Sequence, residues 1–213
     1  DEFEKKSLGM GPLDIKEIRV RAKVSRGANV RPAGQDIGMG QTALKKGTLL
    51  RPSEIGVLAS LGRDTVMVVR RPVVAVIATG DELLEPGEPA SAGKIYNSNG
   101  YSVSAAILRY GGIPRLLGIA EDNLESLNAK LEGGLTADML LTTAGVSRGD
   151  YDIVKELLAS RGEIAFWSVR MRPAKPLAFG VFLGPGGRKV PHIGLPGNPV
   201  SALVAFEQMV RPA

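Results

Sequence analysis

The chain has 213 residues, of which 44% are hydrophobic and 23% charged, a balance that predicts a folded protein with a sizeable core. It contains no cysteine and one histidine, His192, which excludes disulfides and thiolate metal sites and leaves little scope for zinc or a Ser-His-Asp triad. The formal net charge is +5 but only 5% of the residues are aromatic, which favours a small anionic ligand over a nucleic acid.

Two further expectations follow from the residue types. Any metal in this chain would be held by oxygen ligands, which indicates Mg²⁺ rather than a softer ion. The sequence has no apolar run long enough to span a membrane and no secretion leader, so we expect a cytoplasmic protein without membrane contact.

The first part of the chain is predicted to be a small β-rich segment. Residues 1–16 are polar and without periodicity, which indicates a tail or an added terminal stretch. Apolar residues alternate with charged ones over 17–24, the pattern of a half-buried strand, and a glycine-rich stretch of irregular β structure follows. Pro52 at a first-turn position and Gly62 as a stop predict a short linking helix, which completes a segment over 17–71.

From residue 72 to 213 the pattern predicts a three-layer α/β/α domain with a mostly parallel sheet. Strands are expected at 73–78, 115–119, 138–142 and 164–169, and helices near 98–110, 123–131, 152–160 and 199–210. Two apolar stretches around Gly184-Pro185-Gly186-Gly187 predict a hairpin that adds antiparallel strands.

Five loops are predicted to meet at the carboxyl edge of this sheet, where ligands of open α/β sheets bind. They read TGDELLEPGE, EDN, TTAGVSRGDYD, RMRPAKP and GLPGNPVSA. Their carboxylates could converge on one hard cation; they are Asp81, Glu82, Asp122, Asp150 and Asp152. For Asp122 and Asp152, helix capping is the alternative interpretation.

Three of the loops carry groups suited to an anion. Gly145 and Gly149 would let backbone N–H groups approach a phosphate, with hydroxyls on Thr142, Thr143 and Ser147 beside them, although a purely structural turn is equally consistent.

Arg170, Arg172 and Lys175 lie within six residues and repel one another unless an anion lies among them, or else they form a solvated surface.

The GLPGNP loop predicts a stiff corner before a helix. Gly197 permits a tight turn, and Pro199 pre-sets the backbone of the first turn without removing a needed N–H. The helix would then direct its N–H groups and positive dipole end at the ligand edge, with a hydroxyl from Ser201. The alternative is that the motif only starts a helix.

Taken together and in this order, five motifs resemble the molybdopterin molybdenumtransferase family, which includes the E domain of gephyrin. They are ATGDEL, IYNSN, AGVSRGDYD, RPAKPLAFG and GLPGNPVSALVAFE, and the segments NVRPAGQDI and LLRPSEIGVLASLG match as well. The resemblance implies insertion of molybdate into adenylylated molybdopterin with release of AMP, assisted by Mg²⁺.

The resemblance also implies roles for individual residues. Glu82, Asp122 and Asp152 match acidic catalytic or metal-binding positions. The positions that line the molybdate pocket are matched by Ser147, Arg172, Lys175, Pro176 and Ser201, and those of the pterin-phosphate loops by Gly145, Gly149, Gly197 and Asn198. Thr143, Pro196 and Pro199 complete the set of substrate-binding candidates.

The sequence departs from the family pattern at several places. Ala144 stands where paired glycines are usual, Arg148 replaces a commonly apolar residue, and Ser168 and Arg172 stand at lysine positions. A planar guanidinium binds an oxyanion differently from a lysine ammonium, so molybdate affinity is expected to differ. The family's inserted lobe and C-terminal β-domain have no counterpart here, so we expect an incomplete enzyme fragment.

The family resemblance leaves two classes of function open. The first is a molybdate-inserting enzyme, which the five loops favour; the second is a non-catalytic scaffold or partner-binding module with the same fold. The resemblance further implies a homodimer and an adenylyltransferase as a partner.

Overall fold

The computed structural model describes residues 21, 23–144, 160 and 162–213. The chain divides into two units, Asp1–Met67 and Val68–Ala213. In the first unit, helix α1 spans Pro52–Ser60. The Glu54 carboxylate accepts a hydrogen bond from the Arg51 N–H at 2.8 Å, and Gly62 follows the helix with a φ of 69°. The short helix predicted from Pro52 and Gly62 is therefore confirmed.

The β structure expected over 17–71 is not found among the described residues of the first unit, which contain turns and α1. Four glycines there have φ angles of 80–86°, and each turns the chain; they are Gly27, Gly34, Gly40 and Gly47. Such closely spaced turns interrupt any extended stretch before it reaches the length of a usual strand. Most of the predicted strand 17–24 lies outside the described residues.

The second unit alternates strands and helices as predicted. The strands are β1 Val73–Thr79, β2 Leu83–Leu84, β3 Ile95–Tyr96, β4 Ile113–Ala120, β5 Met139–Thr143, β6 Gly162–Ser168, β7 Pro176–Leu183 and β8 Lys189–Leu195. The helices are α2 Ser98–Arg109, α3 Leu124–Gly134 and α4 Pro199–Ala205, which continues as a π-helical turn over Phe206–Val210. The predicted helix 152–160 lies almost wholly outside the described residues.

Six strands form one sheet in the order β4-β1-β5-β8-β7-β6. The pairs from β4 to β8 are parallel, whereas β7 pairs antiparallel with both β8 and β6. The hairpin of β7 and β8 is the one predicted around Gly184. Strands β2 and β3 form a separate parallel pair that the sequence pattern did not predict, since each has only two residues.

Two apolar clusters cover the faces of the sheet. One packs α2, α4 and the π-helical turn on one face and includes Val103, Ile107 and Phe206. The other includes Leu127 and Leu131 of α3 with side chains of the opposite face. Alternate residues of β1 serve the two clusters, because successive strand side chains point to opposite faces. The sheet is therefore the middle of three layers, as predicted.

None of the helices in the described residues is long and apolar enough to cross a membrane.

Candidate functional site

The described loops of the predicted ligand site open at one edge of the sheet. Thr79 at the end of β1 lies opposite Ala120 at the end of β4, and Thr143 of β5 lies opposite Leu195 of β8. Because β6 and β8 are both antiparallel to β7, β6 runs in the same direction as β8. The loop after Ser168 therefore starts at the same edge. The loop after Ala144 lies outside the described residues.

A cavity of about 250 Å³ lies at this edge. Its lining comes from the loop after β1, from β3 and the start of α2, from the end of β5, and from the turn before α4. The described residues that line it are Glu82, Leu83, Ile95, Tyr96, Asn97, Ser98, Asn99, Thr143, Ala144, Gly197 and Pro199. Glu82, Thr143, Gly197 and Pro199 were predicted from the sequence.

Glu82 is held at the cavity by its own loop. The backbone of Gly80 has a φ of 138°, and a Cβ atom built there would lie 2.8 Å from Oε1 of Glu82. The Glu82 carboxylate thus lies directly over Gly80, where a larger residue would displace it. The Glu82 carbonyl accepts a hydrogen bond from the Ile95 N–H at 2.8 Å, and this bond ties the backbone of Glu82 to the start of β3.

Asp81 and Asp122 connect two of the loops. The Asp122 N–H donates to Oδ1 of Asp81 at 2.9 Å, and the Asp81 N–H donates to Oδ2 of Asp122 at 3.3 Å. Helix α3 is capped by Asn123 instead, whose Oδ1 accepts from the Ser126 N–H at 2.8 Å. Asn123 is thus the N-cap residue of α3, and the carboxylate of Asp122, the residue before it, braces the neighbouring loop.

Within the part of the chain that the structure describes, no three His, Cys, Asp or Glu side chains are grouped so that they could hold a metal ion. Asp150 and Asp152 lie outside that part. Gly145, Ser147, Arg148 and Gly149 lie outside it as well.

The end of β5 forms one wall of the cavity. Thr143 is buried, and its carbonyl accepts a hydrogen bond from the Thr79 hydroxyl at 3.3 Å. Ala144 has a φ of 71°, a left-handed conformation that favours glycine, while its N–H donates to the Leu195 carbonyl at 3.0 Å. The methyl group that departs from the family pattern thus sits on a strained backbone at the cavity.

Two asparagines at the start of α2 belong to the site although neither was among the predicted site residues. Asn97 caps the helix, with its Oδ1 accepting from the Gly100 N–H at 2.9 Å. The Nδ2 of Asn99 donates to the Gly197 carbonyl at 2.7 Å and so ties α2 to the turn before α4. The repeated asparagine in IYNSN at a helix start was the available sequence signal.

The turn before α4 uses most of its polar groups on itself. The Oδ1 of Asn198 accepts from the Ser201 N–H at 3.1 Å and from the Ser201 hydroxyl at 3.4 Å. Pro196 is buried and does not line the cavity. A Cβ atom at Gly197 would lie 3.3 Å from that of Ala144, so the turn passes close to β5.

The basic loop between β6 and β7 lies beside this turn. It is closed by the Val169 N–H, which donates to the Lys175 carbonyl at 2.9 Å, and anchored by the buried Ala174. Arg172 and Lys175 are exposed, and neither forms an ion pair with any described residue. Neither lines the cavity. The antiparallel register of β7 with β8 brings Pro176 next to the start of the turn before α4.

Comparison with known proteins shows two family matches. Residues 75–213 match a family described as a probable molybdopterin binding domain, and residues 3–62 match the MoeA N-terminal region, domain I and II. The chain is 38% identical over 185 residues to molybdopterin molybdenumtransferase of Haemophilus influenzae, which covers 86% of this chain and 45% of that protein. It is 41% identical over 175 residues to the protein of the same name from Nostoc, with 81% and 40% covered.

The chain thus spans less than half the length of these two curated relatives. Among solved structures, the molybdopterin biosynthesis MoeA protein from Pyrococcus horikosii superimposes with a TM-score of 0.73 at 34% identity, covering 84% of this chain and 44% of that one. The family match over 75–213 takes in the sheet except for the first two residues of β1, and it takes in every described loop of the cavity. The chain belongs to the family of probable molybdopterin-binding domains.

Proposed function

We propose that this chain is the molybdopterin-binding part of a molybdopterin molybdenumtransferase, which inserts molybdate into adenylylated molybdopterin and releases AMP. The observation that carries the proposal is the cavity at the carboxyl edge of the sheet, in a chain of a molybdopterin-binding family. Relatives that carry the enzyme name match more than four-fifths of this chain.

The acidic residues would serve the cleavage of the phosphoanhydride, in which water adds to phosphorus and the bond to the leaving phosphate breaks. Glu82 lines the cavity, and Asp81 and Asp122 hold the adjoining loops together. Carboxylate oxygens of this kind fit Mg²⁺, so Glu82, Asp81, Asp122, Asp150 and Asp152 are the proposed metal-holding candidates. A bound Mg²⁺ would neutralise charge on the phosphate oxygens as the bond breaks.

The basic loop would bind molybdate. Arg172 and Lys175 are exposed neighbours without carboxylate partners in the described chain, so their mutual repulsion falls when a dianion lies between them. The closure of the loop through Val169 and Lys175 limits how far the two cations can separate. Pro176 follows at the start of β7, and we propose that the hydroxyls of Ser201 and Ser147 complete the oxyanion pocket.

The proposed activity is tested with the full-length protein, adenylylated molybdopterin and molybdate, with and without Mg²⁺. We expect AMP and molybdenum cofactor to form in equal amounts, and only when Mg²⁺ is present. Binding of molybdopterin without release of AMP under any of these conditions would instead support the scaffold function. Absence of both binding and turnover would contradict both.

Three further properties are proposed on the family resemblance. The full-length protein is expected to form a homodimer, to receive its substrate from a molybdopterin adenylyltransferase, and to act in the cytoplasm. Sedimentation of the full-length protein at micromolar concentration tests the first of these. A monomer under those conditions would count against it.

A further inference from the structure

Strands β2 and β3 form a wall of the cavity although neither belongs to the main sheet. Leu83 of β2 is paired with Ile95 of β3, and the side chains of paired residues in neighbouring strands lie on the same face. Both residues line the cavity, whereas Leu84, whose side chain lies on the opposite face, does not. The wall therefore presents the apolar side chains of Leu83 and Ile95 to the cavity.

This apolar wall is accessible and its backbone is fixed. Ile95 is 59% exposed, and Leu83 beside it is half-buried. The Ile95 N–H donates to the Glu82 carbonyl at 2.8 Å, and the Asn97 N–H donates to the Leu84 carbonyl at 2.8 Å. An atom of a ligand in the cavity can thus reach the wall, and apolar ligand surface that covers it is removed from water together with the wall.

Several polar groups of the same cavity are already engaged within the protein. The Nδ2 atoms of Asn97 and Asn99 donate to Glu85 at 3.4 Å and to the Gly197 carbonyl at 2.7 Å. The Ala144 N–H likewise donates to the end of β8. An oxyanion that leaves water needs donors or cations in exchange, and the described lining contains no lysine, arginine or histidine.

The cations of this sheet edge lie outside the cavity. Arg172 and Lys175 belong to the loop after β6 and do not line it, and Glu82 is the only charged residue among the described ones that do. A phosphate or molybdate oxyanion placed against Leu83 and Ile95 would lose hydration without gaining a cation. An uncharged ring in the same place would lose little hydration and would bury the apolar wall.

The volume of the cavity limits how much of a ligand it can take. At about 250 Å³ it is smaller than the roughly 300–1,000 Å³ of pockets that hold a drug-sized ligand. Adenylylated molybdopterin is a larger ligand, with two uncharged heterocycles, the pterin and the adenine, joined through phosphates. The cavity therefore suits one heterocycle and leaves the phosphates outside.

We propose that the cavity binds an uncharged heterocycle of the ligand, with Leu83 and Ile95 against the ring, while the phosphates and molybdate lie outside the cavity. Ile95 is then a specificity-determining residue that favours a ring over an anion. The inference rests on the proposed function, because adenylylated molybdopterin supplies the heterocycle from its pterin or from its adenylyl half.

The experiment makes two opposite changes at Ile95 in the full-length protein. Ile95→Ala removes most of the apolar side chain, and Ile95→Lys places a cation at the wall. Ile113→Ala and Ile113→Lys are the matched controls, because Ile113 is also an exposed isoleucine that begins a strand, yet it lies at the amino edge of the main sheet and does not line the cavity. Dissociation constants for molybdopterin and for AMP are measured separately by calorimetry, and circular dichroism checks that each variant is folded.

We expect Ile95→Ala to weaken one of the two probes about tenfold, because apolar contact with the ring is lost, and both controls to bind as the wild type does. Ile95→Lys should weaken the same probe. A loss confined to molybdopterin would identify the pterin as the ring, and a loss confined to AMP the adenine.

Both probes carry a phosphate, so a cavity that binds phosphate would give the opposite sign for the lysine variant. Tighter binding of either probe by Ile95→Lys, unchanged binding of both by Ile95→Ala, or equal losses in the Ile113 variants would overturn the inference while leaving the proposed function intact. A wild-type protein that binds neither probe would overturn both.

A measurement on the wild type covers the case in which a variant does not fold. With ¹³C-methyl-labelled leucine and isoleucine, the methyl resonances of Leu83 and Ile95 should shift when the bound ring covers them. The Ile113 methyl resonances should stay in place. Leu83 and Ile95 resonances that respond to neither saturating probe would overturn the inference.

Discussion

The two edges of the main sheet differ in how far their polar groups are paired within the protein. At the amino ends of the strands, Asp138 precedes β5 and accepts hydrogen bonds from Arg70 at 2.6 Å, from Arg188 at 3.1 Å and from the Val73 N–H at 2.8 Å. Arg188 also donates to the carbonyls of Leu135 and Ala137. The charged groups named at this edge are therefore paired within the protein.

At the carboxyl ends, some polar groups are paired, as in the Asp81–Asp122 brace, but several others have no partner among the described residues. Oδ1 of Asn99 has no described partner, Arg172 and Lys175 form no ion pair with the described chain, and Ala144 is held in a left-handed conformation. The comparison teaches that ion pairs mark the structural edge of this sheet. The candidate ligand edge is marked by strain and, among the described residues, by an acceptor and cations without partners.

The largest effect on stability is expected at the amino edge. Asp138→Ala removes the acceptor of the Val73 N–H and the ion-pair partner of the exposed Arg70 and Arg188, so the free energy of unfolding should fall by about 2 kcal/mol. The Arg70 guanidinium, with the Val73 amide, holds the pKa of the Asp138 carboxyl well below its usual value of 3.8, which agrees with a strongly used carboxylate. Chemical denaturation of both proteins measures the change.

The same variant should leave the molybdate concentration at half-maximal rate unchanged in the full-length protein. A decrease in the free energy of unfolding of less than about 1 kcal/mol would contradict the contrast between the edges. A changed half-saturating molybdate concentration in a fully folded variant would contradict it as well.

The basic loop should show the reverse behaviour. Arg172→Ala in the full-length protein should raise the half-saturating molybdate concentration at least tenfold, because a charge-assisted hydrogen bond to an oxyanion contributes about 1.5–3 kcal/mol. Its unfolding free energy should barely move, since the side chain is exposed and makes no ion pair with described residues. Lys175→Ala should behave similarly.

Lys189→Ala is the matched control for the loop, because Lys189 is an exposed lysine at the opposite end of the β7–β8 hairpin. It should change neither quantity. An unchanged molybdate response in both loop variants would remove the basic loop from the site and leave the turn before α4 as its main anion-binding element.

A buried histidine between the two edges of the sheet predicts that the stability of the protein depends on pH. His192 of β8 is fully buried, and burial lowers its pKa from 6.5 to about 3, so it stays neutral in the folded protein while the unfolded chain takes up a proton below pH 6.5. Stability should therefore be constant with respect to His192 above that pH and fall by up to about 1.4 kcal/mol per pH unit as the pH drops toward 4.

Above about pH 5 the lowered pKa of Asp138 contributes little to this slope, because the unfolded carboxyl is itself ionised there, and below that pH its contribution is the same in both proteins compared. Denaturation of the wild type and His192→Gln between pH 4 and pH 7 isolates the histidine. Glutamine can still bond to the Thr142 hydroxyl, which lies 3.1 Å from Nε2 of His192. Equal slopes for the two proteins would refute the assignment.

The smallest effect is expected for Ala144→Gly. Glycine relieves the left-handed conformation at φ 71°, which costs an alanine about 1–2 kcal/mol, but it also makes the unfolded chain more flexible. We expect a net stabilisation of about 0.5–1 kcal/mol, measured by denaturation. A destabilised variant would show that the alanine methyl group contributes packing that outweighs the strain.

Local patterns were sufficient for the main elements of the second unit. The apolar run of β1, the glycines after α2 and the turn at Gly184 predicted strand, helix end and hairpin, because period and turn chemistry act over a few residues. The helix at 199–210 was predicted in extent, but its last turn is π-helical over Phe206–Val210. The two-residue strands β2 and β3 were missed because they are too short to show a period.

The sequence by itself determined the residue types of the candidate site: carboxylates after the strands, a proline-framed turn and a cluster of cations after a strand. Only the tertiary structure decided how these residues are used. Asp81 and Asp122 brace each other's loops, Asn198 caps α4, and Asn99 reaches Gly197, which lies 98 positions away along the chain. Such pairings depend on strand order and register, which bring together segments whose separation in sequence carries no local signal.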